Sequence, residues 1–147
     1  MKILLITILI ILIITSIAFT NIDLTNGINE VRLSSNLNIL QHKPLLDSFA
    51  EYRFNKMLFP ISHEYISWRS DYDFFMKWSH GLNSSYIGEI IVYGHSTYTT
   101  EECIAAWFKS PLHRQAILNK NFTHIGSHSG YKYKHYITIV EFERKLK

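Results

Sequence analysis

The most regular hydrophobic pattern in the chain follows Pro44. Leu45, Leu46, Phe49, Ala50, Phe54 and Met57 recur at the spacing of one helix face, with Asp47, Glu51, Arg53 and Lys56 between them. That spacing predicts a helix, and Phe59-Pro60-Ile61-Ser62-His63 ends it and opens a loop. Upstream, Ile28, Val31, Arg32 and Leu33 suggest a shorter helix from Ile28 to about Asn36. Tyr72 to Trp78 reads as an aromatic-rich helix stopped at His80-Gly81, where glycine suits the left-handed cap and histidine the negative end of the helix. The period then changes. Tyr86-Ile87-Gly88-Glu89-Ile90-Ile91-Val92-Tyr93-Gly94 is a β-branched and aromatic run bounded by glycine, most simply a buried strand or extended segment.

Thr99, with Glu102 three residues later, fits a capping box, and Ile104, Ala105, Trp107 and Phe108 supply the buried side of the helix it opens. A further helix starts at Ser110-Pro111, since serine is a good N-cap and proline suits the first helical position. Phe122 to His128 and Tyr133 to Phe142 read as two strands joined at Ser129-Gly130. The second strand alternates Tyr136, Thr138, Val140 and Phe142 against Tyr133, His135, Ile137, Ile139 and Glu141. Helical layers plus a carboxy-terminal hairpin predict an α+β chain, or an α-β-α sandwich.

Ahead of these elements, residues 1–20 stand apart. Met1-Lys2 is followed by ILLITILIILIITSIAF, an uncharged apolar run without helix-face periodicity, which marks a secretory signal peptide or an uncleaved membrane anchor. Ser16-Ile17-Ala18 offers small residues for cleavage, and Lys2 keeps the amino terminus on the cytoplasmic side. The rest of the chain is therefore expected to be extracellular, free or anchored on the outer face of the membrane. The 147 residues suffice for one domain with a sizeable core. The net charge of +3 lacks the dense basic and aromatic block of a nucleic-acid site, so no nucleic-acid partner is expected. A single cysteine, Cys103, excludes an internal disulfide framework and reads as a small buried hydrophobe rather than a catalytic thiol.

Two residues are chemically conspicuous. Glu89 interrupts an apolar run: in a buried strand its carboxylate must be paired, hydrogen-bonded or metal-bound, whereas on an edge strand it can face water. His113 stands in the first turn after the Ser110-Pro111 break, where the helix dipole favours the neutral imidazole that binds metals and accepts protons. A half-buried packing histidine fits that position as well. His63 has no local signature, and His42, His80, His95, His124, His128 and His135 are individually unremarkable. No HExxH, Cys/His cluster, phosphate loop or GxSxG elbow is present. The sequons at Asn83 and Asn121 are glycosylation acceptors only where the host has the machinery.

In combination, several pieces resemble the superfamily of cysteine-rich secretory proteins, antigen five and pathogenesis-related proteins, the CAP or SCP-like family, in its compact prokaryotic form. They are Asn29-x-x-Arg32, the Leu40, Leu45 and Ala50 pattern, Ser62-His63, Gly88-Glu89-Ile90-Ile91, and Thr100-Glu101-Glu102 before Trp107. Ser110-Pro111-Leu112-His113-Arg114-Gln115-Ala116-Ile117-Leu118 and Ile125-Gly126 complete the series, which runs from about Asn29 to Phe142. The Trp107-to-His113 block is the most specific.

The resemblance implies a three-layer α-β-α sandwich over residues 24–143 and a cleft where His63, Glu89 and His113 converge. Animal and plant members carry a second glutamate three residues after the tryptophan; Ser110 stands there in this chain, which leaves a three-residue site. Ile90 stands where the family commonly has asparagine, a change that bears on how Glu89 is oriented. The resemblance then implies an extracellular module that binds a cell-envelope component, glycan or lipid in the cleft, with no established catalysis. The alternative it implies is a metal-dependent hydrolase or peptidase, with zinc or another divalent cation on His63 and His113 together with Glu89. In a third reading the three polar residues only hydrogen-bond one another and fix the core.

Overall fold

The structure is a computed structural model that describes residues 23–58, 61 and 86–144. The segment 1–20, His63, the helix expected at Tyr72–Trp78, and Asn83 lie outside the described residues. Among the described residues no helix is long and apolar enough to cross a membrane.

Helix α1 covers 23–34, starting before Ile28 because Leu24 and Ile28 already share one buried face. It ends in a turn at Asn36, whose φ of 56° is left-handed. Two of its polar residues lock it in place. Asn29 Nδ2 donates to the Leu40 carbonyl (3.0 Å) and its Oδ1 accepts from the Leu40 amide (2.8 Å). Arg32, fully buried, donates from Nη1 to the carbonyls of Ile117 (2.6 Å) and Asn119 (3.0 Å) and from Nε to that of Asn38 (3.0 Å). The Asn29-x-x-Arg32 signature is thus a structural clasp that satisfies orphan carbonyls at a distant helix end.

Helix α2, Pro44–Lys56, is the predicted one. Asp47 in its first turn accepts from the Ser127 amide (2.7 Å) and pairs with His42 (2.6 Å). At the other end Lys132 Nζ donates to the carbonyls of Phe54 (2.8 Å) and Asn55 (2.7 Å), and Tyr133 Oη donates to that of Met57 (3.2 Å). A cation at the carboxy-terminal carbonyls suits the helix dipole.

The strands are β1 (Gln41–His42), β2 (Tyr86–Gly94), β3 (His124–Lys132) and β4 (His135–Arg144), and the described sheet runs β1-β3-β4-β2. β1 is parallel to β3; the other pairs are antiparallel. The hairpin turn is not at Ser129-Gly130. Strand β3 continues to Lys132, opposite His135, and the turn residues are Tyr133 and Lys134 at φ 52° and 63°. A two-residue turn with both φ values positive matches the twist of the flanking strands, at a steric cost for non-glycine residues. The anchoring of Lys132 and Tyr133 on α2 and the Tyr131–Tyr136 ring pair (5.0 Å) offset that cost.

The sheet has a helix layer on each face. Ile87, Ile91, Ile137 and Ile139 lie against Leu46, Phe49, Ala50 and Phe54 of α2. The helix backbone comes so close over β3 that a Cβ added at Gly126 would lie 2.5 Å from Leu46 C and Asp47 N, which explains the glycine. On the opposite face Ile90, Ile125, Val140 and Phe142 pack against α1 and two further helices, α3 (Thr100–Lys109) and α4 (Pro111–Ile117). The α-β-α layering is the predicted one, and burial of this apolar surface is its main driving force.

Candidate functional site

Glu89 lies on β2 directly opposite Glu141 of β4, on the face covered by α2. Arg53 reaches it as a fork: Nε donates to Oε2 (2.8 Å) and Nη2 to Oε1 (3.2 Å). The side chains of Arg53 and Glu89 are 3% and 1% exposed, so the pair is desolvated and strongly directional. Of the readings open to Glu89, the structure selects a paired carboxylate rather than one facing water. It also accounts for Ile90. That side chain points into the opposite core beside Trp107, while Arg53 orients Glu89 from behind.

Glu141 is a member of this cluster that sequence reasoning misses. It is fully buried, and among the described residues neither of its oxygens meets a hydrogen-bond donor group. Desolvation, first, and the neighbouring Glu89 charge push its carboxyl well above the ordinary carboxylate range, against the opposing pull of Arg53. A proton on Glu141 turns the contact with Glu89 from repulsion into a hydrogen bond and leaves one negative charge for one guanidinium. The signal is present in the alternation, which puts Glu141 in line with Ile137 and Ile139.

This arrangement has a pH signature. A carboxyl raised in the folded state favours folding fully below its unfolded value, about 4.3, and that contribution is lost as pH rises through the raised value. Glu141→Gln copies the protonated acid. It is expected to leave stability at pH 7 equal to or above that of the parent and to flatten the decline that sets in as pH rises above the unfolded value. Urea midpoints over that rise in pH check it; an unchanged slope with lower stability would contradict the assignment.

His113 sits in α4, with its amide donating to the Ser110 hydroxyl at 3.5 Å. Ser110 therefore acts as the N-cap, and Thr99 caps α3 through the full box, with Glu102 N to Thr99 Oγ1 at 3.2 Å and Thr99 N to Glu102 Oε2 at 2.8 Å. The half-exposed His113 borders an open groove of about 340 Å³. Its walls are Ile91, Val92 and Tyr93 of β2 and Ala106, Trp107 and Lys109 of α3, with Ser110 beside the imidazole. Trp107 forms the buried floor and is 1% exposed.

The structure thus brings His113, Ser110 and Trp107 to one groove, and sets Glu89 against Arg53 and Glu141. Glu89 is not among the groove walls, and His63 lies outside the described residues. Among the described residues no three His, Cys, Asp or Glu side chains gather where a metal ion would sit.

A second cavity, of about 550 Å³, lies where α1 and α3 begin, over β3 and β4. Asp23, Glu30 and Glu101 give it an acidic rim, and Tyr98, Cys103 and the bonded pair Ser129–Thr138 (2.9 Å) line it. No local sequence pattern announces it, because its walls come from four elements. Burial, chiefly, pushes the Cys103 thiol up to about 11, in keeping with the inert, buried cysteine expected from sequence.

The model of the CAP: Cysteine-rich secretory protein family matches residues 25–142 of this chain. The uncharacterized protein YkwD of Bacillus subtilis is 42% identical over 66 residues, which are 45% of this chain and 24% of that protein. The matched part is thus about a quarter of the curated relative's length. Solved structures of other proteins share the fold. An outer surface protein from Borrelia burgdorferi has a TM-score of 0.63 at 22% identity, covering 84% of this chain and 90% of its own. A cysteine-rich secretory protein from Staphylococcus aureus has 0.65 at 16% identity, covering 86% and 39%. An extracellular protein containing an SCP domain from Bacillus anthracis has 0.60 at 20% identity, covering 87% and 41%.

Proposed function

The chain belongs to the CAP, cysteine-rich secretory protein, family, and from that premise we propose that it is an extracellular or outer-face binding module whose groove beside His113 receives an envelope glycan or lipid. The observation that carries this reading is the groove itself: an apolar wall of Val92, Ala106 and Trp107, with Lys109, Ser110 and His113 supplying polar groups around it. An apolar concavity with a few convergent polar groups suits a ligand that has both an apolar body and a hydrogen-bonding head. The neighbours described as an outer surface protein and an extracellular protein support the location.

Glu89 supports binding over hydrolysis. A carboxylate with both oxygens accepting from a buried guanidinium is held as a hydrogen-bond acceptor and is a poor proton carrier. Retention of the 147-residue chain on cell-wall fractions, glycan supports and lipid vesicles tests the reading. Retention is expected on one class, unchanged by EDTA and at least about tenfold weaker in His113→Ala, as when a buried polar partner is lost from a recognition site. A zinc equivalent bound by the parent and lost in His113→Ala would favour the hydrolase instead. Absence of retention on all three supports would leave the binding reading without a ligand.

A further inference from the structure

At the end of β2, away from the Arg53 fork, a second pair of side chains meets. His95 follows the strand's last residue, and His135 opens β4 across from it, one step beyond the Gly94–Tyr136 register pair. Their rings stand 4.6 Å apart between centroids with an interplanar angle of 33°. Both side chains reach the surface: His95 is exposed and His135 half-buried. The His135 and Tyr93 rings pack edge to face, 5.8 Å apart between centroids. His135 Nδ1 lies 2.8 Å from the Tyr133 carbonyl, an acceptor only, so the neutral ring carries its proton on Nδ1 and its lone pair on Nε2. A metal-ligating histidine usually donates its other ring N–H to just such a carbonyl, which fixes the tautomer and the ring orientation.

From these contacts we infer that His95 and His135 form a two-imidazole site for a divalent transition cation, separate from the groove beside His113. The spacing agrees with coordination. With nitrogen–metal bonds of about 2.0–2.1 Å, each ring centroid stands about 3.2 Å from the ion, and two arms at about 90° put the centroids about 4.5 Å apart. The observed centroid separation of 4.6 Å matches that value. Cross-strand placement holds both rings on the same face of the sheet, so the second donor is already in place when the first binds. Imidazole donors without thiolate select copper(II) ahead of nickel(II) and zinc(II). Two protein donors leave further coordination positions for water or for a donor on a bound partner.

Copper(II) titration of the 147-residue chain, followed by EPR, tests the site. One equivalent is expected with two-nitrogen hyperfine structure, weakened at least about tenfold in both His95→Ala and His135→Ala and unchanged in His113→Ala. His135→Asn, which retains a polar side chain on the turn, is expected to lose copper as fully as the alanine variant while circular dichroism stays that of the parent. Equal copper affinity in His95→Ala, or loss through His113→Ala alone, would overturn the inference. Because the groove reading is judged by retention and the His113→Ala variant, the two can fail independently.

Discussion

Arg53→Met is expected to destabilise the chain by about 3–5 kcal/mol, the usual cost of removing one partner from a buried ion pair. Methionine retains much of the apolar stem, so the loss reports mainly the charge. The Glu89 carboxylate, 1% exposed and opposite a buried Glu141, would be left without its fork of donors. Urea unfolding at pH 7 measures it. The double variant Arg53→Met with Glu89→Gln is expected to recover much of the loss, because the buried charge then disappears with its partner, and measuring Glu89→Gln alone completes the cycle that gives the coupling energy. A cost below about 1 kcal/mol in Arg53→Met would show that the pair is more hydrated than its geometry implies.

Trp107→Ala is expected to cost about 3–5 kcal/mol as a large core truncation. Trp107 is 1% exposed and belongs to the cluster with Ile90, Ile117 and Phe142, so its removal opens a hole between α3 and the sheet. Its Nε1 has no hydrogen-bond partner among the described residues. Trp107→Phe therefore loses shape without losing a bond, and less than half of the alanine effect is expected. Denaturant midpoints check the stability part. Ligand retention checks the rest, since the same ring is the floor of the groove and should matter even in a variant that stays folded.

The two expectations differ in how far sequence leads to them. Trp107 on the inner side of a capped helix is legible, because the Thr99–Glu102 box and the spacing of Ile104, Trp107 and Phe108 are local signals. Helix Pro44–Lys56 and strand Tyr86–Gly94 are legible for the same reason. Local composition misplaces the hairpin turn. Ser129-Gly130 looks like a turn, yet the strand passes through it, because contacts of Lys132 and Tyr133 with the end of α2 stabilise a turn four residues later.

The kinds of elements, their caps, the place of His113 just after the Ser110 cap, and the family signature spread along the chain are all written in local sequence. These are properties of periodicity and of hydrogen bonds spanning three or four residues. Long-range packing is what turns Glu89 toward α2, brings Arg53, 36 residues earlier, to hold it, sets Glu141 opposite, and makes His95 and His135 meet. Those pairings depend on strand register and on which helix covers which face of the sheet. A register shift of one residue would turn every one of these strand side chains to the other face, and no local pattern encodes that choice.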